Sequence, residues 1–258
     1  MTSWYDYPQH YDLAFRSETR READFIQAAC RKYCPWPARR LLEPACGTGR
    51  LIADLAARGY RMTGFDLNEA ALEYLRRRLA RRGLRARTFV ADMADFRLPR
   101  PVDAAYSTFD SFRHLLSEPA ARSHLECVAR SLRPGGIYIL GFHLLPPDAA
   151  EECTERWSER HRATRVTVTL RVLATDRRRR LETIRISLLA RVGKREHRVR
   201  DEFPLRMYTA AQFRRLLSTV PSLDLCDVYD FWYEIDRPLK LNDEMSDSVF
   251  ILRKRGNS

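Results

Sequence analysis

Residues 41–66 read LLEPACGTGRLIADLAARGYRMTGFD, and this stretch constrains the fold more than any other. Leu41 and Leu42 precede a loop holding two glycines; residues 50–58 then carry Leu51, Ile52, Leu55 and Ala56 at helical spacing until Gly59 stops the helix. The order is strand, glycine loop, helix. Residues 60–66 form the next strand and end on Asp66, nineteen residues after Gly47. A glycine turn lets backbone approach a ligand closely, and free amides at the helix start attract polar groups. An acid closing the following strand can accept hydrogen bonds from a ribose diol. The pattern predicts a nucleoside site. A dinucleotide fingerprint starting at Gly47 needs glycine at position 52, where Ile52 stands, and no Walker loop is present.

The alternation continues through a helix at 69–82, a strand at 85–90 leading into Ala91, Asp92 and Met93, a strand at 104–108, a helix at 119–132, a turn at 133–136 and a strand at 137–142. Strands alternating with helices predict an α/β fold with a doubly wound, Rossmann-like, seven-stranded and mostly parallel sheet, its ligand lying at the carboxyl ends of the strands. After His143 the period drops to two. Val166, Val168, Leu170 and Val172, then Ile184, Ile186 and Leu188, alternate with polar residues, so residues 165–206 read as an inserted antiparallel β meander with Pro204 on an edge strand. A helix at 209–217, capped by Thr209, and strands at 223–231 and 248–254 finish the pattern. The 258 residues read as one domain with four parts: an N-terminal helical lid at 1–40, a cofactor-binding core at 41–142, the β insert at 158–206 and a C-terminal completion of the sheet at 207–258.

The formal charge of +12 would ordinarily point to a polyanion. Lysine supplies only four of the 46 basic residues and arginine the other 42, a skew better explained by codon usage than by a selected surface. The cations at Arg177, Arg178, Arg179, Arg180, Arg191, Lys194, Arg195 and Arg198 offer a second reading, phosphate binding by the insert, but no aromatic residues interleave them as a base reader requires. Six scattered cysteines and six histidines show neither a disulfide framework nor metal-ligand spacing. The start lacks a basic, then apolar, leader and no run approaches eighteen apolar residues; the expectation is a soluble cytoplasmic protein without membrane contact.

The run EPACGTG at residues 43–49 resembles motif I of the class I S-adenosylmethionine-dependent methyltransferases. Asp66 in GFDLN is similar to that family's ribose acid, Asp92 in ADM to its reader of the adenine amino group, and RPGG to its turn before strand five; the resemblance covers about residues 43–142. Ala45 stands where the family has its first glycine. The resemblance implies S-adenosylmethionine as cofactor and S-adenosylhomocysteine as product. Tyr11, Glu43, Ala45, Cys46, Gly47, Thr48, Gly49, Asp66, Leu67, Asp92, Met93, Ser107, Thr108 and Phe109 would border the cofactor. Cys46 read alone is a small buried side chain.

Substrate-specific motifs narrow the class. Neither the D/N-P-P-Y/F run of DNA amino-methylating members nor a cytosine-type proline–cysteine pair follows strand four. STFDSFRHL at residues 107–115 looks instead like the corresponding run of small-molecule methyltransferases, in which His114 would orient or deprotonate the acceptor. YDLAF at residues 11–15 resembles a lid whose ring, Tyr11, meets the sulfonium by a cation–π contact. The insert and RMYT at residues 206–209 resemble glycine-type and amino-sugar-type N-methyltransferases, making His114, His143, Tyr208, Trp232 and Tyr233 the candidates for substrate contact and His114 and Tyr11 those for catalysis. Read without the family, His114 is equally a helix-start histidine satisfied by backbone, and the aromatics are core. The expectation is in-line methyl transfer to an amine or hydroxyl of a small molecule, by a monomer or by a homodimer joined through the insert. The alternatives are a methyltransferase acting on RNA or another macromolecule, and a cofactor-binding protein without activity.

Overall fold

The computed structural model describes residues 3–149 and 153–256. The outer ends of the expected lid and C-terminal segments, residues 1–2 and 257–258, lie outside the described residues. A short 3-10 helix at Trp4–Asp6 leads into α1 (Pro8–Ala14) and α2 (Thr19–Tyr33). The alternating part follows as β1 (Arg40–Pro44), α3 (Arg50–Ala57), β2 (Arg61–Asp66), α4 (Glu69–Arg81), β3 (Ala86–Val90), β4 (Val102–Ser107), α5 (Glu118–Ser131) and β5 (Leu132–His143). Four long strands come next, β6 (Thr154–His161), β7 (Thr164–Asp176), β8 (Leu181–Val192) and β9 (Arg195–Arg206), and then α6 (Ala210–Ser218), β10 (Leu223–Tyr229) and β11 (Asp247–Lys254).

The seven-stranded sheet has the order β10-β11-β5-β4-β1-β2-β3, in which only β11 runs antiparallel to its neighbours. The sheet departs from the expected outline at β5. Residues 133–136 do not separate helix from strand; they form an irregularity inside β5, because Val102 pairs with Leu132 while Ala104 pairs with Ile137. Gly135, at φ 81°, supplies the bend. One face of the sheet is covered by α2, α3 and α4 and the other by α5 and α6.

The insert is a separate antiparallel sheet ordered β6-β7-β8-β9, and β9, which carries Pro204, is indeed at its edge. Its first strand, β6, precedes the period-two stretch. A third apolar cluster ties the insert to the N-terminal segment, with Trp4, Leu13 and Ala14 packed among Val166, Val168, Ile184, Ile186 and Leu205. Trp157 Nε1 donates to the Ala14 carbonyl at 3.0 Å, and Ser3 Oγ to Asp201 at 2.6 Å. The N-terminal segment and the insert therefore form one roof over the carboxyl ends of the parallel strands.

Candidate functional site

The glycine loop owes its shape to three left-handed residues, Ala45 at φ 51°, Gly47 at 49° and Gly49 at 64°. Gly49 is obligatory twice over, because a Cβ there would run into the Leu75 side chain. The backbone N–H of Cys46 donates to the Phe65 carbonyl at 2.9 Å, which brings the loop alongside the end of β2. There the Asp66 carboxylate accepts from the N–H of Gly47 at 2.7 Å and that of Asn68 at 2.8 Å. Burial raises the Asp66 pKa, and these backbone donors offset part of the rise. Ile52, in the place of a dinucleotide-type glycine, fits because the close approach has moved to the strand. Gly64 of β2 faces it, and a Cβ there would collide with the Ile52 side chain.

Asp12 anchors α1 to this loop. It is buried, accepts from Thr48 Oγ1 at 3.3 Å and is salt-bridged to Arg78 of α4. Below the loop, Glu43, Cys46, Ser107 and Thr108 line a small cleft. Burial pushes Glu43 up to about 8 while it accepts from Tyr106 Oη at 3.0 Å. Arg50 pairs with Glu22 at 2.6 Å beside it.

A cavity of about 730 Å³ opens above the loop and runs under the roof. At one end its walls are Ala45, Gly47, Thr48, Asp66, Leu67, Asn68 and Met93; at the other they are Phe109, Asp110, Arg113, His114 and His143. Tyr11 lines the space between them, in edge contact with Trp4 and near Tyr5 and Phe15. Its hydroxyl is pushed up to about 12 by burial, so it is neutral at physiological pH.

The two cavity histidines differ in kind. His114 stacks on Phe203 and its Nε2 meets Tyr5 Oη at 3.1 Å. Its accessible face opens into the cavity, and this enclosure lowers its pKa. His143 pairs through Nδ1 with Asp110 Oδ2 at 2.7 Å, and its own N–H donates to Asp110 Oδ1 at 2.9 Å. Burial works against the charged ring, but the Asp110 carboxylate overrides it and the His143 pKa is raised. The Asp110 pKa is lowered: desolvation is overcome by His143 and by Arg113 at 3.5 Å. Arg113 is itself salt-bridged to Glu182 of the insert and donates to the Arg206 carbonyl at 3.0 Å.

Several expected contacts fall elsewhere. Tyr208 is wholly buried, packed on Phe112, Phe142 and Phe213, and does not reach the cavity. Trp232 is 69% exposed, lies 6.0 Å from the Arg21 guanidinium and is likewise off the cavity wall. Tyr233 acts from behind, donating to the Thr108 carbonyl at 3.0 Å. Asp92 is exposed and holds its own turn by accepting from the Ala94 N–H at 2.8 Å, while its neighbours Ala91 and Met93 line the cavity. Gly49 shapes the loop without lining it. Sequence reasoning passed over Asp110, Arg113, Tyr5 and Phe203. Asp110 and Arg113 had a signal, their place in the STFDSFRHL run.

Residues 41–136 match the family model described as a methyltransferase domain. Among curated proteins, the chain is 30% identical over 138 residues to a dTDP-3-amino-3,4,6-trideoxy-alpha-D-glucopyranose N,N-dimethyltransferase of Streptomyces venezuelae, covering 52% of this chain and 56% of that one. It is 32% identical over 133 residues to a dTDP-3-amino-3,6-dideoxy-alpha-D-glucopyranose N,N-dimethyltransferase of Streptomyces fradiae, covering 50% of each. The chain spans about half the length of the curated relatives it matches. The fold is shared with a solved S-adenosylmethionine-dependent methyltransferase from Clostridium acetobutylicum, with a TM-score of 0.79, 19% identity and 95% and 96% of the two chains covered. An amino pentose methyltransferase from Micromonospora echinaspora gives a TM-score of 0.71 at 20% identity, with 95% and 94% covered.

Proposed function

We propose that this chain, whose residues 41–136 form a methyltransferase domain, transfers a methyl group from S-adenosylmethionine to an amine or hydroxyl of a small molecule. The observation that carries the reading is a single cavity joining the Asp66 end to the His114 and His143 end. Asp66 fits a nucleoside: it is a half-buried carboxylate on the cavity wall, held by backbone N–H groups and by no cation, and a ribose diol would supply the donors it lacks. Leu67, Ala91 and Met93 would flank the base, and Tyr11 would face the sulfonium. Bound there, the cofactor supplies an electrophilic methyl group and leaves as S-adenosylhomocysteine.

The chain's own work is to align the acceptor and receive its proton, and alignment alone is worth ~7–11 kcal/mol. His143 is the better proton acceptor of the two histidines, because Asp110 stabilises the imidazolium that forms when Nε2 is protonated. His114, held by Tyr5 and stacked on Phe203, positions the acceptor. The lid role of residues 1–40 and the roof role of the insert belong to the same reading. So does a cytoplasmic setting, which six free cysteines suit, and so does a monomer or a dimer joined through the insert, distinguishable by sedimentation. No helix among the described residues is long and apolar enough to cross a membrane, and none of their His, Cys, Asp and Glu groups could hold a metal ion.

The test supplies methyl-labelled cofactor with a panel of small amines and hydroxyl compounds, and with RNA. Transfer to a small acceptor is expected, with His143→Ala lowering kcat about 10²-fold and His114→Ala acting mainly on KM. Labelling of RNA alone would overturn the reading.

A further inference from the structure

The charge of the cavity is opposite to that of the protein. The chain has 42 arginines, yet among the described residues the only guanidinium on the cavity wall is Arg113, against five carboxylates, Asp66, Asp110, Glu155, Glu182 and Asp247. Arg113 is already paired with two of them, Asp110 and Glu182, and donates to the Arg206 carbonyl. None of the β7–β8 turn arginines 177–180 is on the cavity wall; Arg177 donates to the Ala149 carbonyl at 2.8 Å, Arg179 lies 3.8 Å from Asp176, and Arg180 pairs with Glu118. The roof between these charges is apolar, formed by Leu170, Val172, Ile184, Ile186 and Leu205.

We propose that the acceptor is a phosphate-free amine with an apolar body, drawn in by the acidic wall and seated against the insert. This rests on the methyltransferase reading and sharpens its acceptor, away from the nucleotide-linked amino sugars named for the curated relatives. A diphosphate beyond the Asp66 end would meet Asp110, Glu155, Glu182 and Asp247 with a single guanidinium, Arg113, already paired with two of them, and a desolvated charge without a partner is strongly disfavoured. An ammonium arriving at the same wall gains Coulomb attraction, while its hydrocarbon portion covers the roof. The amine then loses its proton inside the site, where the Asp110–His143 pair lies.

The experiment is a calorimetric titration of the whole chain saturated with S-adenosylhomocysteine, using a matched pair of probes, 4-phenylbutylamine and 4-phenylbutyric acid, and thymidine diphosphate as a third. The two phenyl compounds share one apolar body and differ in charge. The amine is expected to bind at least tenfold more tightly than the acid, and more tightly than the nucleotide. Leu170→Arg, which adds a cation to the half-buried roof, is expected to narrow or reverse the preference. Equal or tighter binding of the acid or the nucleotide by the unmodified protein overturns the proposal, as does no binding of the amine while S-adenosylhomocysteine binds normally. If S-adenosylhomocysteine itself fails to bind, the underlying cofactor reading falls first.

Discussion

Ala45 sits at φ 51° with a Cβ, a conformation that costs a non-glycine residue about 1–2 kcal/mol. Glycine's larger unfolded-state entropy returns roughly 0.5–1 kcal/mol of that cost, so Ala45→Gly should stabilise the protein by up to ~1 kcal/mol, or about 2–4 °C in Tm. A loss of stability in thermal denaturation would show that the loop is not strained there. The Asp110–His143 pair makes a pH-dependent claim. The raised His143 pKa gives stability that is complete below about 6.5 and is lost as pH rises through its folded pKa; the lowered Asp110 pKa gives stability present above about 3.9 and lost as pH falls through its own. Asp110→Asn should therefore cost about 1–3 kcal/mol near pH 5.5 and less at pH 9, by denaturant titration at each pH. An equal cost at both values would contradict an ionic pair. The sequence marked His143 but not its partner, because a left-handed turn at Asp110 carries the carboxylate to a residue 33 positions away.

Among the elements, α1 is short and, besides its apolar packing on the insert, carries one buried charge that ties it to the core. Asp12→Ala should leave Arg78 without its partner, destabilise the protein by about 3–5 kcal/mol and loosen the lid, seen as a lowered denaturation midpoint with weaker S-adenosylhomocysteine binding. An unchanged midpoint would mean that α1 is held by its aromatic contacts. The alternating core was legible because hydrophobic period, glycine stops and caps all agree there, as at Thr209, whose side chain caps α6. Strand β6 was not legible: TERWSERH has polar residues on both faces, and its contacts with the N-terminal segment come from Trp157 and from Glu159, which accepts from Ser17 Oγ at 2.7 Å. The expected turn at 133–136 failed for a related reason. Proline and glycine residues mark a bend equally well when the strand pairing resumes on its far side.

At the scale of the whole molecule, the cavity lies where the sheet's carboxyl edge, the N-terminal segment and the insert meet, so no single stretch of sequence describes it. The arginines other than Arg113 are distributed away from it, several of them ion-paired, such as Arg191–Glu196 and Arg185–Glu202 on the insert. Tyr208 and Trp232 show the same limit from the other side. An aromatic residue read along the chain can equally be core or wall, and the packing of α6 against β5 placed Tyr208 in the core. The position of Asp66 was readable because it depends on local order, a strand end facing the loop that precedes α3. The most direct test of a nucleoside cofactor at that end is a calorimetric titration of S-adenosylhomocysteine into the unmodified protein and into Asp66→Ala. Binding that weakens at least tenfold in the variant, about 1.4 kcal/mol, is the expected result. Equal affinity in the two proteins, or binding of NAD in place of the sulfonium product, would contradict it.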